Sequence, residues 1–481
     1  MSWHAWMSST LLAAGLALPA VGPASAADAA DHTPAQPTPA VAAPVEAAPA
    51  SPLTFSVALQ QALLQDGALR AARANVVAAR AQQTQLRSRF FPTAGVEARQ
   101  GRQVVDELQS PVERHVRRSE GFVRWNLYNG GADRSALAAA EFDLAAAQAD
   151  ARHELEEACE RVGKAWAELQ KQQALHQHAL QRHAEVRGLA ERVARQVAAG
   201  KSADADGQLA QSALIDAELA LQGSAADLAA ARAQFSVITG LPGVQAVEPA
   251  ALPWAAPTGL ALATALDDWW ALAVEGHAAS QAAAARRAAA QARVPLIAPE
   301  YLPRADLDLR KTLSERTAPT ESSRDRRSWT LSLTYEVPLG GAATARRDDN
   351  VARAEAAEAE AWRSLQALRG ELAVVRQQAL QAADALPALE RQRGHLEAVV
   401  QASELQYQAG RRSLLQLIDQ RDRRFNAEQR AADTRLRLTQ AQLRLGVLTG
   451  SLAAQWGLAT ADPSAIPERS TEPTPEWLLP R

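Results

Sequence analysis

Gly200-Lys201-Ser202 has the residue types that close a phosphate loop, in which backbone amides and a lysine hold phosphoryl oxygens. That loop needs a glycine at position 195. Arg195 stands there, and no strand pattern precedes it. His176, His178 and His183 are metal-ligand types, but residues two apart on a helix face away from each other. They read as histidines facing solvent or a lumen, and no metal site is assigned. Cys159 with His153 offers a thiol and a base without a third partner, so Cys159 reads as a small packing residue. No constellation supports catalysis or a cofactor. The chain is read as a non-enzyme, and its work as geometric.

The charges that matter lie on strands. Arg304, Asp306, Asp308 and Arg310 alternate with Ala305, Leu307 and Leu309. At a bilayer midplane an arginine on lipid costs about 2–4 kcal/mol, so the charged face must see water and the leucine face lipid or a core. A second stretch is cleaner. Trp329, Leu331, Leu333, Tyr335 and Val337 alternate with Ser328, Thr330, Ser332, Thr334 and Glu336, and form the expected lipid-facing strand. Two more strands are expected over 93–101 and 119–128, joined by a charged loop, with Val123, Trp125 and Leu127 on one face. Strands of about 9–11 residues with this alternation suit an outer-membrane barrel. Such barrels have about eight strands at the least, so a chain with four must share its barrel with other copies.

Long rods position these strands. From Leu365 the residues Leu368, Leu372, Val375, Ala379, Ala382, Leu386, Leu389, Arg393, Leu396, Val400, Ser403 and Tyr407 follow in alternating steps of three and four. That is a heptad seam, polar only at Arg393 and Ser403. At about 1.5 Å per residue it spans roughly 65 Å, so an equally long partner must lie alongside. Pro387 within it predicts a kink. Subtracting 210 maps Gly340-Gly341 onto Gly130-Gly131, Gly410 onto Gly200, Thr449-Gly450 onto Thr239-Gly240 and Tyr301 onto Phe91. The same shift lays the seam on a second one running from Leu155 to Val197. The chain is a tandem duplication of one unit.

Composition agrees. The chain of 481 residues carries 51 basic and 54 acidic residues, a formal charge of −3, which gives no argument for nucleic acid. One cysteine excludes an intrachain disulfide framework, and no apolar run reaches the ~18 residues of a spanning helix. Residues 1–26 read as a secretory signal, with Ala24-Ser25-Ala26 as the cleavage site and no cysteine after it for a lipid anchor. Residues 27–52 are an Ala/Pro-rich linker. The first repeat covers 53–245, a Pro-containing connector 246–257, the second repeat 258–452, and a disordered tail 453–481. Each repeat is expected to open with one alanine-rich helix, over 53–89 and 260–293. Residues 314–327 are expected as a polar loop.

The turn Tyr407-Gln408-Ala409-Gly410-Arg411-Arg412-Ser413-Leu414-Leu415-Gln416-Leu417-Ile418-Asp419 has glycine suited to a helix C′ position and Ser413 suited to an N-cap. Here the sequence resembles the TolC family of outer-membrane export channels, over about residues 53–452. The downstream Phe425-Asn426-Ala427-Glu428-Gln429 also looks like that family. The resemblance implies a mainly α fold with a small β part: a long coiled-coil α-helical barrel, with four antiparallel strands per chain contributing to a trimeric, 12-stranded transmembrane β-barrel. It implies a homotrimer in the outer membrane of a Gram-negative bacterium, extending into the periplasm. Its partners would be outer-membrane lipid, a periplasmic adaptor (a membrane fusion protein) and an inner-membrane pump of ABC or RND type. The hairpin tips Gly200, Lys201, Ser202, Gly410, Arg411 and Ser413 would meet the adaptor. Tyr407 matches the family's gate tyrosine and Asp206 its aspartate partner. Arg412 matches the gate arginine, but Ala205 stands where its threonine partner would be. Gln416 and Asp419 match the outer and inner aspartate rings. Asp204 and Gly207 replace aliphatics.

The leading expectation is therefore a passive duct of a type I secretion or tripartite efflux system, and the missing anchor cysteine leans toward the first. A soluble periplasmic coiled-coil scaffold is the alternative; detergent-dependent extraction separates the two. An adaptor fits less well, since adaptors usually carry one hairpin rather than two copies with long strands.

Overall fold

In the computed structural model, residues 53–107, 110–244, 247–248, 252, 261–295, 302–316, 326–336 and 340–458 are described, with backbone alone at 103–107, 110–116 and 315–316. The expected signal, linker, most of the connector and the tail beyond 458 lie outside them, as does Val337.

The first repeat contains α1 (Phe55–Gln65), α2 (Gly67–Ser88), β1 (Thr93–Glu107), β2 (Ser110–Asn129), α3 (Ala132–Ala198) and α4 (Asp204–Thr239). The second contains α5 (Leu266–Gly276), α6 (Ala278–Arg293), β3 (Arg304–Arg316), β4 (Arg327–Thr334), α7 (Ala342–Gln408) and α8 (Leu414–Leu448), followed by a short α9 (Leu452–Gln455). The long helices α3 and α7 each have 67 residues. Each would span roughly 100 Å. Their first residues, Ala132 and Ala342, differ by the same 210 positions as the glycine turns.

Each repeat opens with two helices rather than the single helix expected. At Asp66 the backbone turns extended (φ −61°, ψ 112°) and the carboxylate accepts from the Leu69 amide at 2.8 Å, capping α2. At the equivalent His277 the chain breaks in the same way (φ −69°, ψ 106°). A bend here lets both short helices lie on the long ones.

Helix α3 packs against α2, α4, α6 and α8, and α7 against α5, α6 and α8. The α7 seam is buried at Leu368, Leu372, Val375, Ala379, Ala382, Val400 and Ser403. Its upper part meets Trp269, Ala441, Leu445 and Leu448. Helix continues on both sides of Pro387, with Leu386, Leu389 and Leu396 only half-buried and Arg393 exposed. Proline leaves the helix one amide donor short at this point. The aromatic core sits where α1, α3, α4 and α9 converge. Phe55 stands edge-on to Trp166 (5.4 Å) and Trp456 (4.7 Å), and Trp166 to Phe235 (5.9 Å). Residues 452–458, expected to be tail or its lead-in, are folded into this region, with Leu452 and Ala453 buried. From the connector, Val247 bridges to Leu53.

The four strands form one antiparallel sheet in the order β1-β2-β3-β4. Strands β1 and β2 are longer than expected, with 15 and 20 residues, and pair as far as Glu107↔Ser110. The stretch expected as a charged loop is therefore mostly ladder. Backbone hydrogen bonds hold a hairpin without an apolar face, which is why alternation of hydrophobicity did not mark it. Likewise Ser314 to Arg316 belong to β3 and Arg327 to β4.

Candidate functional site: the hairpin tips and the sheet faces

The α3–α4 and α7–α8 turns close identically. The Gly200 and Gly410 amides donate to Val197 and Tyr407 carbonyls at 2.9 and 3.0 Å, and the Lys201 and Arg411 amides to Gln196 and Gln406 at 2.8 Å. This bond pair needs a left-handed C′ residue, and Gly200 and Gly410 have φ of 70° and 68°. Ser413 then caps α8, its hydroxyl accepting from the Gln416 amide at 3.4 Å. Gly200, Lys201, Gly410, Arg411 and Ser413 are exposed and Ser202 is half-buried, its hydroxyl 3.5 Å from Gln196 Oε1.

Polar groups tie the two tips together. The Tyr407 hydroxyl donates to Gln196 Oε1 at 3.4 Å rather than to Asp206. Burial pushes the phenol pKa up, and the negative charge of Asp206 adds to the rise, so Asp206 is near without being the bonded partner. Arg412 donates to the buried Ser403 hydroxyl, which gives the polar seam residue its reason. Glu404 is the hub: it receives Arg192 of α3 and Arg421 of α8, both at 2.9 Å. Arg421 is 4% exposed and also donates to the Glu185 carbonyl at 3.1 Å. Farther along, Arg424 meets Glu185 at 2.7 Å and Arg182 meets Asp422 at 2.8 Å. Asp419 is half-exposed and held by Arg423 at 3.0 Å one helical turn on, while Gln416 is exposed. Beneath lies an apolar plug of Leu189, Val193, Leu414 and Leu417. Gln196, Arg192, Glu404 and Arg421 were not singled out from sequence. The one trace was a polar residue, Ser403, on an apolar seam.

The three histidines each find a different neighbour. His176 bonds Ser224 at 3.1 Å, His178 lies 3.5 Å from Glu428 and His183 lies 3.9 Å from Glu218. Among the described residues no group of three metal-ligating side chains converges. Cys159 is fully buried among Leu59, Val162 and Leu443, and burial pushes its thiol pKa up.

At the other end the sheet separates two chemistries. Trp125, Leu307 and Leu331 share a register row, as do Val123, Leu309 and Trp329, and Ala305 pairs Leu333. A bulge at Asn126/Tyr128 leaves Leu127 unpaired and brings Tyr128 opposite Ala305. Trp329 (74%), Leu331 (58%), Leu333 (72%) and Tyr335 (62%) are exposed apolar side chains, with Tyr335 just past the end of β4. Phe90, Phe91, Trp125 and Tyr128 add an exposed aromatic row where the sheet meets the helices, and the Trp125 indole donates to the Phe90 carbonyl at 3.0 Å. Such rows mark a membrane–water boundary. On the opposite face Arg124 lies 3.4 Å from Asp308, Arg310 lies 2.9 Å from Asp308, and Arg304 lies 2.7 Å from Asp306. Among the described residues no helix is long and apolar enough to cross a membrane.

A family model described as outer membrane efflux protein matches residues 58–241 and 271–451, one segment in each repeat. The fold is also that of solved outer-membrane channels. The outer-membrane channel OprN superposes with a TM-score of 0.73 at 20% identity, covering 82% of this chain and 90% of that one. The outer membrane protein VceC from Vibrio cholerae gives 0.72 at 17% identity, covering 82% and 96%. CusC, solved in a study of folding and transmembrane channel formation, gives 0.72 at 16% identity, covering 82% and 92%. No curated protein matches. With both repeats matched, the chain belongs to the outer membrane efflux protein family, channels of the Gram-negative outer membrane that reach into the periplasm.

Proposed function

We propose that three copies of this chain form a passive export duct. The observation that carries this reading is the sheet: its face of exposed Trp329, Leu331 and Leu333 opposes a face of paired charges, and β1 and β4 are both open edges. Three copies supply twelve strands, which closes the edges, turns the apolar face to lipid and the charges to a water-filled lumen. The two units, 53–245 and 258–452, each give one hairpin of rods to a periplasmic tunnel. Its inner end carries the Gly200 and Gly410 tips, which meet a periplasmic adaptor. An inner-membrane pump of ABC or RND type drives cargo, either an unfolded secreted protein or small molecules.

The gate is the bonded cluster at the tips. In this chain the Tyr407–Gln196 bond and the Arg192–Glu404 ion pair hold the two hairpins together. The Arg412–Ser403 bond and the Glu404–Arg421 ion pair brace the second hairpin internally, and Asp419 and Gln416 ring the aperture. Opening requires the α7–α8 pair to swing from α3, which breaks the contacts made by Tyr407 and Arg192. Planar-bilayer recording of wild type and Asp419→Ala tests the reading. Discrete conductance steps whose cation block changes with the substitution are expected. Folded protein that never forms steps refutes it.

A further inference from the structure

We propose that the outward face of the sheet holds a site for the phosphate group of an anionic outer-leaflet lipid, formed by Lys311 and Arg327. The proposal rests on the barrel reading above and adds a specific ligand to it. Register places Lys311 directly opposite Arg327, on the same face as the Leu309–Trp329 pair and one row farther from the helices. The strand ends at Thr93, Asn129, Arg304 and Thr334 lead to helices, so this row lies toward the hairpin ends, on the extracellular side. Beyond it the outward positions of β2 turn polar: Ser119 follows, then Arg117, which donates to Gln100 at 3.2 Å, while the small Ala98 of β1 and the bulged Leu313 of β3 remain apolar. The pair therefore stands where the apolar band gives way to headgroups.

Two features make this row a site rather than a boundary marker. First, its charge is uncompensated. Like charges directly across a ladder destabilise it. On the inward face each arginine of the Arg124, Arg304 and Arg310 set has a carboxylate within 3.4 Å. Lys311 and Arg327 are both exposed, and among the described residues neither has an acidic partner. An anion at headgroup level removes that repulsion. Second, the neighbouring β2 position is Gly121, paired with Lys311, and the absent side chain leaves a shallow concavity of about 470 Å³. Val123, Leu309 and Trp329 line it on the apolar side and the two cations on the other. A free phosphate would use only the cations. An acyl chain in the concavity with its phosphate between Lys311 and Arg327 uses both, so the occupant is a phosphorylated lipid.

The test is native mass spectrometry of the full chain in detergent micelles, titrated with diphosphoryl lipid A, with a phosphate-free glycolipid of equal acylation, and with inorganic phosphate. Wild type and Lys311→Arg/Arg327→Lys should bind the phosphorylated lipid selectively. Lys311→Gln/Arg327→Gln should bind it at least roughly tenfold more weakly, given the effect of a cation at an anionic membrane surface, with unchanged conductance steps. Equal binding by the glutamine variant, equal binding of the phosphate-free lipid, or displacement of the lipid by inorganic phosphate at equal concentration overturns the site while leaving the duct intact. Failure of the wild type to enter any lipid bilayer overturns the barrel reading and the site with it.

Discussion

Glu156 offers a prediction with a worked magnitude. Its side chain lies in the core beside Cys159, and its Oε2 accepts from the Ala453 amide at 3.1 Å, so it fastens α9 to α3. Burial raises its pKa from 4.5 to about 7, outweighing the amides of Ala453 and Leu452, which favour the ionised form. The folded state thus holds a proton that the unfolded chain releases. Between pH 4.5 and about 7 the folded chain binds more protons, so stability falls as pH rises through this window and levels off above it. At about 1.4 kcal/mol per pH unit, the loss comes to about 3 kcal/mol. Glu156→Gln keeps an acceptor for Ala453 and has no proton to lose. Guanidinium unfolding of the purified assembly, followed by helical circular dichroism from pH 4 to 8.5, should show the variant equal to wild type near pH 4 and more stable by up to about 3 kcal/mol at pH 8. Parallel curves, or a variant weaker throughout, would show that the carboxylate is ionised and serves as a charged clasp for α9, against the reasoning given.

His277 should act with the opposite sign. Burial lowers its pKa from 6.5 to about 4, with the charges of His153 and Arg444 adding to the effect, so protons favour the unfolded chain as pH drops from 6.5 to about 4. His277→Asn should remove about 2 kcal/mol of acid destabilisation, after discounting for solvent screening, and pH-dependent unfolding measures it. Arg444 joins three helices, reaching Glu371 at 2.6 Å, Glu157 at 2.7 Å and Glu160 at 3.1 Å. Arg444→Met takes the shared cation from Glu157, Glu160 and Glu371, leaving Lys164 on buried Glu160, and should destabilise by about 3 kcal/mol, read as a lower denaturant midpoint at unchanged slope. Glu404→Gln weakens the Arg192 and Arg421 ion pairs together and should raise the spontaneous opening rate in single-channel records. An unchanged rate would remove Glu404 from the gate.

Much of this architecture can be read from residue spacing because it is periodic. The seam from Leu365 to Tyr407 appears as one rod, and the recurrence of Gly200 as Gly410 fixes matching turns, because a left-handed C′ residue is a local requirement. The alternation around Leu307 and Leu331 likewise separates two sheet faces. What escaped depends on placement in space. Asp66 and His277 interrupt stretches whose alanine content suits helix on either side, so composition does not mark the break. Outer hairpin residues pair through backbone alone and leave no hydrophobic signal. The Tyr407 hydroxyl bonds Gln196 on α3 instead of Asp206 on α4, a choice between side chains of separate helices that spacing along the chain does not specify. Arg444 and its three carboxylates come from helices far apart in sequence.

The central claim is that β1 of one copy pairs with β4 of another to close a barrel. Cys159 is the only native cysteine and is buried, so introduced cysteines report cleanly. Ala98→Cys on the outward side of β1 would be combined in turn with Trp329→Cys, Leu331→Cys or Leu333→Cys on the outward side of β4, and each protein oxidised in native membranes. One register should bring the pair within the ~4.4–6.8 Å Cα separation a disulfide spans, giving a covalent ladder that stops at three chains. Monomer bands in all three combinations, from protein that is folded and extractable without detergent, would contradict the account.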